Sequence, residues 1–149
     1  MSRRKAREIV LCLVFEKDYH KNHGCEKLYD DLFENCGNGF GENLFEEKLK
    51  ENDEDYMKRT FFGVFENVGH IDDIISGSTI GWEYNRISKI SMALLRIAVY
   101  EILYSDDVPD SVAINEAIEL SKKYDDPEAY TFINGVLGAV VKNNKKIPR

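Results

Sequence analysis

Hydrophobic positions along the chain recur with helical spacing rather than with the alternation of strands. Ile9–Val10–Leu11–Cys12–Leu13–Val14–Phe15 is an unbroken apolar run. Its lead-in through Arg3, Ala6, Arg7 and Glu8 is rich in helix formers, so the run reads as a buried helix capped by Ser2 and not as a central strand. No segments with period-two alternation appear elsewhere to pair with it. After a break at His20–Gly24, Leu28, Leu32 and Phe33 share one face of a helix over residues 25–34, and the glycine-rich stretch Cys36–Gly41 reads as a loop. Residues 42–55 are acidic and weakly patterned, either a solvated surface helix or an extended linker. Phe61, Phe62, Phe65 and Val68 restore apolar spacing over residues 56–68, and Gly69 is placed to end that helix. A short helix follows His70 and stops at Ser76–Gly77–Ser78.

The second half is patterned more strongly. Ile90, Leu94, Leu95, Ile97, Ala98, Val99, Ile102 and Leu103 cover most of the circumference of a helix over residues 88–104, the mark of a central core helix. Asp106–Asp107–Val108–Pro109 ends it, and Ala113, Ile114, Ala117, Ile118 and Leu120 define the next helix. Asp126 then offers an N-cap and Pro127 a first helical residue for a last helix carrying Phe132, Ile133, Val136, Leu137, Val140 and Val141. Seven helical segments without a convincing strand predict an all-α fold. Gly135 and Gly138 lie inside the last helix, where each costs about 1 kcal/mol relative to alanine, and this predicts the close approach of another helix.

At 149 residues the chain has the size of one domain, and 43% hydrophobic with 32% charged residues excludes the disordered class. No apolar run nears the roughly 20 residues that span a bilayer, and the basic opening leads into an apolar run unlike a cleavable leader, so a cytoplasmic protein is expected. Cys12, Cys25 and Cys36 are odd in number and form no CxxC pair, which predicts reduced thiols. The net charge of −7 argues against nucleic acid until its distribution is considered. Residues 1–25 carry +3, residues 26–55 carry −8 and residues 56–149 carry −2. Arg3, Arg4, Lys5 and Arg7 form a basic head that the whole-chain average conceals.

That head stands at a helix N-terminus, where the helix dipole makes each cation unfavourable by roughly 0.3–1 kcal/mol. Breaking a local rule in this way points to an anion such as phosphate, with a basic terminus of no further duty as the competing explanation. His20, His23, Cys25 and Cys36 match no zinc template and read as a polar turn. His70, Asp72 and Asp73 read as a helix start with favourable carboxylates and not as a hydrolytic metal pair. The Gly37–Gly41 loop lacks the ending of a P-loop. No nucleophile–base arrangement stands out, so no enzyme and no cofactor are expected.

Ser88–Lys89–Ile90–Ser91–Met92–Ala93–Leu94–Leu95–Arg96–Ile97–Ala98–Val99–Tyr100–Glu101–Ile102–Leu103 resembles the central helix of the NusB family. Asp107–Val108–Pro109 with Val112–Ala113–Ile114–Asn115–Glu116–Ala117–Ile118–Glu119–Leu120 is similar to that family's next segment, and Phe132–Ile133–Asn134–Gly135–Val136–Leu137 to its last helix. The resemblance covers both ends and most of the second half, while residues 20–55 carry little of it. It implies a single RNA-binding domain over residues 1–149, built as two packed helical sub-bundles of roughly 1–78 and 79–149. It also implies a transcription antitermination factor that binds single-stranded boxA RNA of ribosomal RNA operons together with the ribosomal protein NusE, within the transcription elongation complex. Carried over by position, Arg3, Arg4, Lys5, Arg7, Tyr124, Glu128, Thr131 and Phe132 would face RNA, and Phe15 and Ser91 would face NusE. Phe132 fits base stacking and core packing equally. Cys12 stands where a glutamine is common, Ser91 where a carboxylate can occur, and Thr131 where a lysine near RNA is expected. Whether the free chain forms a homodimer stays open, and a helical protein-interaction adaptor with little RNA binding of its own is the alternative. NusB-like domains also occur fused to RNA methyltransferases; the end of this chain at Arg149 predicts a stand-alone protein.

Overall fold

The computed structural model describes residues 2–34, 51–79, 81 and 87–147. The described residues form seven α-helices: α1 (Arg3–Tyr19), α2 (Cys25–Glu34), α3 (Glu51–Glu66), α4 (Val68–Gly77), α5 (Lys89–Tyr104), α6 (Asp110–Tyr124) and α7 (Ala129–Asn143). The all-α expectation holds. The Cys36–Gly41 loop and residues 42–50 lie outside the described residues, whereas residues 51–55 form the first turns of α3 and bury Asp53.

The chain divides into two compact units, Met1–Phe65 and Glu66–Arg149. This boundary lies before α4, not near residue 78, because Ile71 and Ile75 are buried on a helix that packs on α5 and α7. In the first unit α1 buries Ala6, Ile9, Val10, Leu13 and Val14, as its unbroken apolar run requires. Leu28 and Tyr29 of α2 and Tyr56, Met57, Phe61 and Val64 of α3 are buried with them. Aromatic edges knit the unit: Tyr29 lies 5.9 Å from Phe62, and Phe61 meets Phe65 edge-on at 5.6 Å.

In the second unit α5 is the central helix, packed on α4, α6 and α7. Its residues Met92–Leu95 and Ile97–Leu103 are all buried, matching its all-round apolar pattern. Ala113, Ala117 and Leu120 of α6 and Ile133, Val136, Leu137 and Val140 of α7 complete the core. Ile147 N–H donates to Leu103 O at 2.7 Å, and the Lys146 ammonium donates to Ser105 O, so the chain end is strapped back to the C-terminus of α5.

Three local expectations are corrected. Gly69 does not end α3; the break comes at Asn67, and Gly69 lies in the first turn of α4. Among the described residues only Gly81 has the positive φ that a C-terminal glycine cap needs. Asp126 does not cap α7. The Asp126 N–H is taken by Asp125 Oδ1 at 2.8 Å, Ala129 N–H closes a tight turn to Asp126 O at 3.0 Å, and Pro127 sits in that turn with Glu128 at the N-cap. Gly135 and Gly138 admit no close helix either: both are exposed, and a Cβ on either would meet nothing within 4 Å.

Candidate nucleic-acid interface

The basic head is built by a helix cap. Ser2 is extended, and its hydroxyl accepts the Lys5 N–H at 3.1 Å, which fixes the first turn of α1 and with it the directions of Arg3, Arg4 and Lys5. Arg3 and Arg4 are exposed and Lys5 is partly exposed. Arg7 is different: only 4% of it is exposed. The Arg3 and Arg7 guanidinium carbons lie 4.3 and 5.4 Å from the centroid of the buried Tyr56 ring, so one aromatic ring serves two like charges one helical turn apart. Lys5 pairs with the buried Glu8 at 3.5 Å. The outward-facing cations of the head are therefore Arg3, Arg4 and Lys5, while Arg7 braces it from within.

Tyr124 is the last residue of α6, Glu128 is the N-cap of α7, and Thr131 and Phe132 lie in the first turn of α7, so all four belong to the corner between α6 and α7. Tyr124 is 41% exposed, with the Lys123 ammonium 5.2 Å from its ring centroid. Glu128 and Thr131 are exposed, whereas Phe132 is half-buried beside the fully buried Ile133. Tyr130, 39% exposed, carries the Lys122 ammonium at 5.0 Å. Sequence reasoning passed over Tyr130, Lys122 and Lys123. The signal in the sequence is a lysine pair followed by two tyrosines six residues apart, but a helix break divides it.

Asp125 locks this corner to the start of α5. Its Oδ2 accepts from Ser88 Oγ at 2.9 Å and Ser91 Oγ at 2.5 Å, while Ser88 Oγ also accepts the Ser91 N–H at 3.0 Å as the cap of α5. Ser91, expected on a partner-facing surface, is thus 3% exposed and committed to Asp125. Phe15 is half-buried, its ring 5.1 Å from that of the exposed Tyr19.

The other candidate clusters resolve into structure. His20 and His23 stack in parallel at 5.2 Å, and His20 Nε2 lies 3.3 Å from Glu16 Oε2. Together with Cys12 and Asp31 they line an open cavity of about 370 Å³, yet among the described residues no three groups are arranged to hold a metal ion; Cys36 lies outside them. Burial, with Glu8 and Glu16 adding to it, pushes the Cys12 thiol up to about 12. Asp72 holds Arg96 through two bonds of 2.9 and 3.0 Å, and His70 Nδ1 is hydrogen-bonded to the Tyr104 hydroxyl. Among the described residues no helix is long and apolar enough to cross a membrane.

The family model described as "NusB family" matches residues 4–142. The Transcription antitermination protein NusB of Acetivibrio thermocellus is 40% identical over 142 residues, covering 95% of this chain and 90% of the relative. That of Clostridium perfringens strain SM101 is 41% identical over 147 residues, covering 97% and 100%. Among solved structures, T. maritima NusB superposes with a TM-score of 0.79 at 29% identity, covering 96% of this chain and 92% of that one. A chain in the crystal structure of antitermination factors NusB and NusE in complex with dsRNA shares the fold at a TM-score of 0.76 and 22% identity, covering 95% and 97%. A family match over residues 4–142, together with relatives about 40% identical over nearly the whole chain, places the chain in the NusB family.

Proposed function

We propose that this chain is a transcription antitermination factor that binds single-stranded boxA RNA of ribosomal RNA operons together with NusE and delivers it to the transcription elongation complex in the cytoplasm. The observation that carries the proposal is the capped head of α1, where Arg3 and Arg4 are exposed at a helix N-terminus in a chain of net charge −7. Cations there are unfavourable for the helix and favourable for a phosphate backbone. The names of the curated relatives support the same activity, and a solved complex of NusB and NusE with dsRNA supports NusE and RNA as the classes of partner. The chain acts by binding: Arg3, Arg4 and Lys5 position the backbone, with Arg7 bracing the head through Tyr56. Tyr124, Glu128, Thr131 and Phe132 face the bases, and Phe15 faces NusE.

The test is a titration of boxA RNA and a scrambled RNA in the presence of NusE, for the natural chain and for Arg3→Ala with Arg4→Ala. The expected result is preference for boxA and a clear loss of affinity in the double variant. Equal affinity for both RNAs would overturn the reading. It would favour instead a helical protein-interaction adaptor, which the acidic bulk of the chain and the uncharged, exposed Thr131 also suit.

A further inference from the structure

Among the described residues four large hydrophobic side chains are exposed: Tyr19, Val112, Tyr124 and Tyr130. Two of these four fall within the stretch 124–130 at the α6–α7 corner, and each carries a lysine ammonium near its ring. The position of Lys122 and Lys123 in the last turn of α6 suits the helix dipole and explains why lysines are there. It does not explain why an exposed tyrosine accompanies each. Tyr130, in the first turn of α7, gains little from burial at 39% exposure.

We propose that Tyr130, held by Lys122, is a second base-stacking platform for single-stranded RNA, extending the contact of Tyr124 by a further nucleotide. The inference rests on the RNA-binding reading above and adds a residue to its surface. A nucleobase presents a flat π face whatever its identity, and an exposed tyrosine offers the matching surface without reading sequence. Duplex bases are already stacked on each other, so the ligand is unpaired RNA. Charge is not the attraction here. Glu119 lies 3.9 Å from Lys122, and Asp126 and Glu128 stand exposed in the intervening turn, leaving no net positive field for phosphates. The polar neighbours Glu128 and Thr131 likewise make the patch unlike the apolar centre of a protein interface.

The test uses the full chain with NusE, measuring affinity for boxA RNA at several salt concentrations for the natural chain, Tyr130→Ala and Tyr130→Phe. Because Tyr130 is exposed, neither variant threatens the fold. Tyr130→Ala is expected to bind about tenfold more weakly with an unchanged salt slope, and Tyr130→Phe to stay within about twofold of the natural chain. RNA carrying 2-aminopurine at the contacted nucleotide should lose its stacking quench with Tyr130→Ala alone. If Tyr130→Ala binds RNA as tightly as the natural chain while Arg3→Ala weakens binding, the platform is rejected and the RNA-binding reading stands. If Tyr130→Ala loses NusE and keeps its RNA affinity, the patch is a protein contact and the proposal is overturned. If the natural chain itself fails to prefer boxA, the underlying reading fails and the platform with it.

Discussion

A glycine inside a helix costs about 1 kcal/mol relative to alanine, and Gly135 and Gly138 recover none of it through packing. A methyl group at either position meets nothing within 4 Å. Gly135→Ala and Gly138→Ala are therefore expected to raise unfolding stability by roughly 0.5–1 kcal/mol each, measured by denaturant titration. Sequence logic failed here because helical glycines commonly mark close packing, and only the helix's surroundings decide whether a neighbour is present. Cys12 is a second case. Its place in an apolar run was legible, but the two carboxylates beside it on the same helix, which with burial push its thiol up to about 12, become a cause only through proximity. At pH 8 the thiolate fraction falls on the order of a thousandfold below that of a thiol at the ordinary value of 9.0. Mass-spectrometric alkylation at that pH should accordingly leave Cys12 unlabelled in the folded chain and label it after denaturation.

Helix positions were well marked in the sequence because caps and periodicity act locally. Ser2 and Ser88 cap α1 and α5 as their residue types require. Interactions between helices were not legible. Asp72 looked like a favourable first-turn carboxylate, yet it grips Arg96, 24 positions away, with two hydrogen bonds between α4 and α5. The pair is partly buried, with side-chain exposures of 12% for Arg96 and 30% for Asp72. Asp72→Asn should cost about 1–2 kcal/mol in unfolding stability, and a double-mutant cycle with Arg96→Met should return a coupling of similar size. A coupling near zero would mean that solvent screens the pair. Tyr56 belongs to the same class: nothing in its local sequence announces that two arginines of α1 converge on its ring.

For the whole molecule, the contrast between a net charge of −7 and a basic N-terminus sets the expected salt response. If Arg3, Arg4 and Lys5 each neutralise one phosphate of a single strand, the slope of log affinity against log salt is about −2 for the chain without its partner, and about −0.7 after Arg3→Ala with Arg4→Ala. A slope near zero in the natural chain would remove the head from the interface. The sequence showed this head because charge clusters survive as runs of residues. It showed only half of the α6–α7 corner, because Tyr130 and Lys122 lie on opposite sides of a turn.

The Asp125 carboxylate, held by two serine hydroxyls of the α5 start and by the Asp126 amide, gives that corner a further property. A surface already fixed before its ligand arrives loses little conformational freedom on association. If Tyr124 and Tyr130 stack on bases as proposed, those contacts carry a small ordering penalty, and the entropy lost on binding falls mainly on the RNA. Replacing Asp125 with alanine would loosen the corner, shift that penalty onto the protein, and shorten the lifetime of the complex without removing any group that touches RNA.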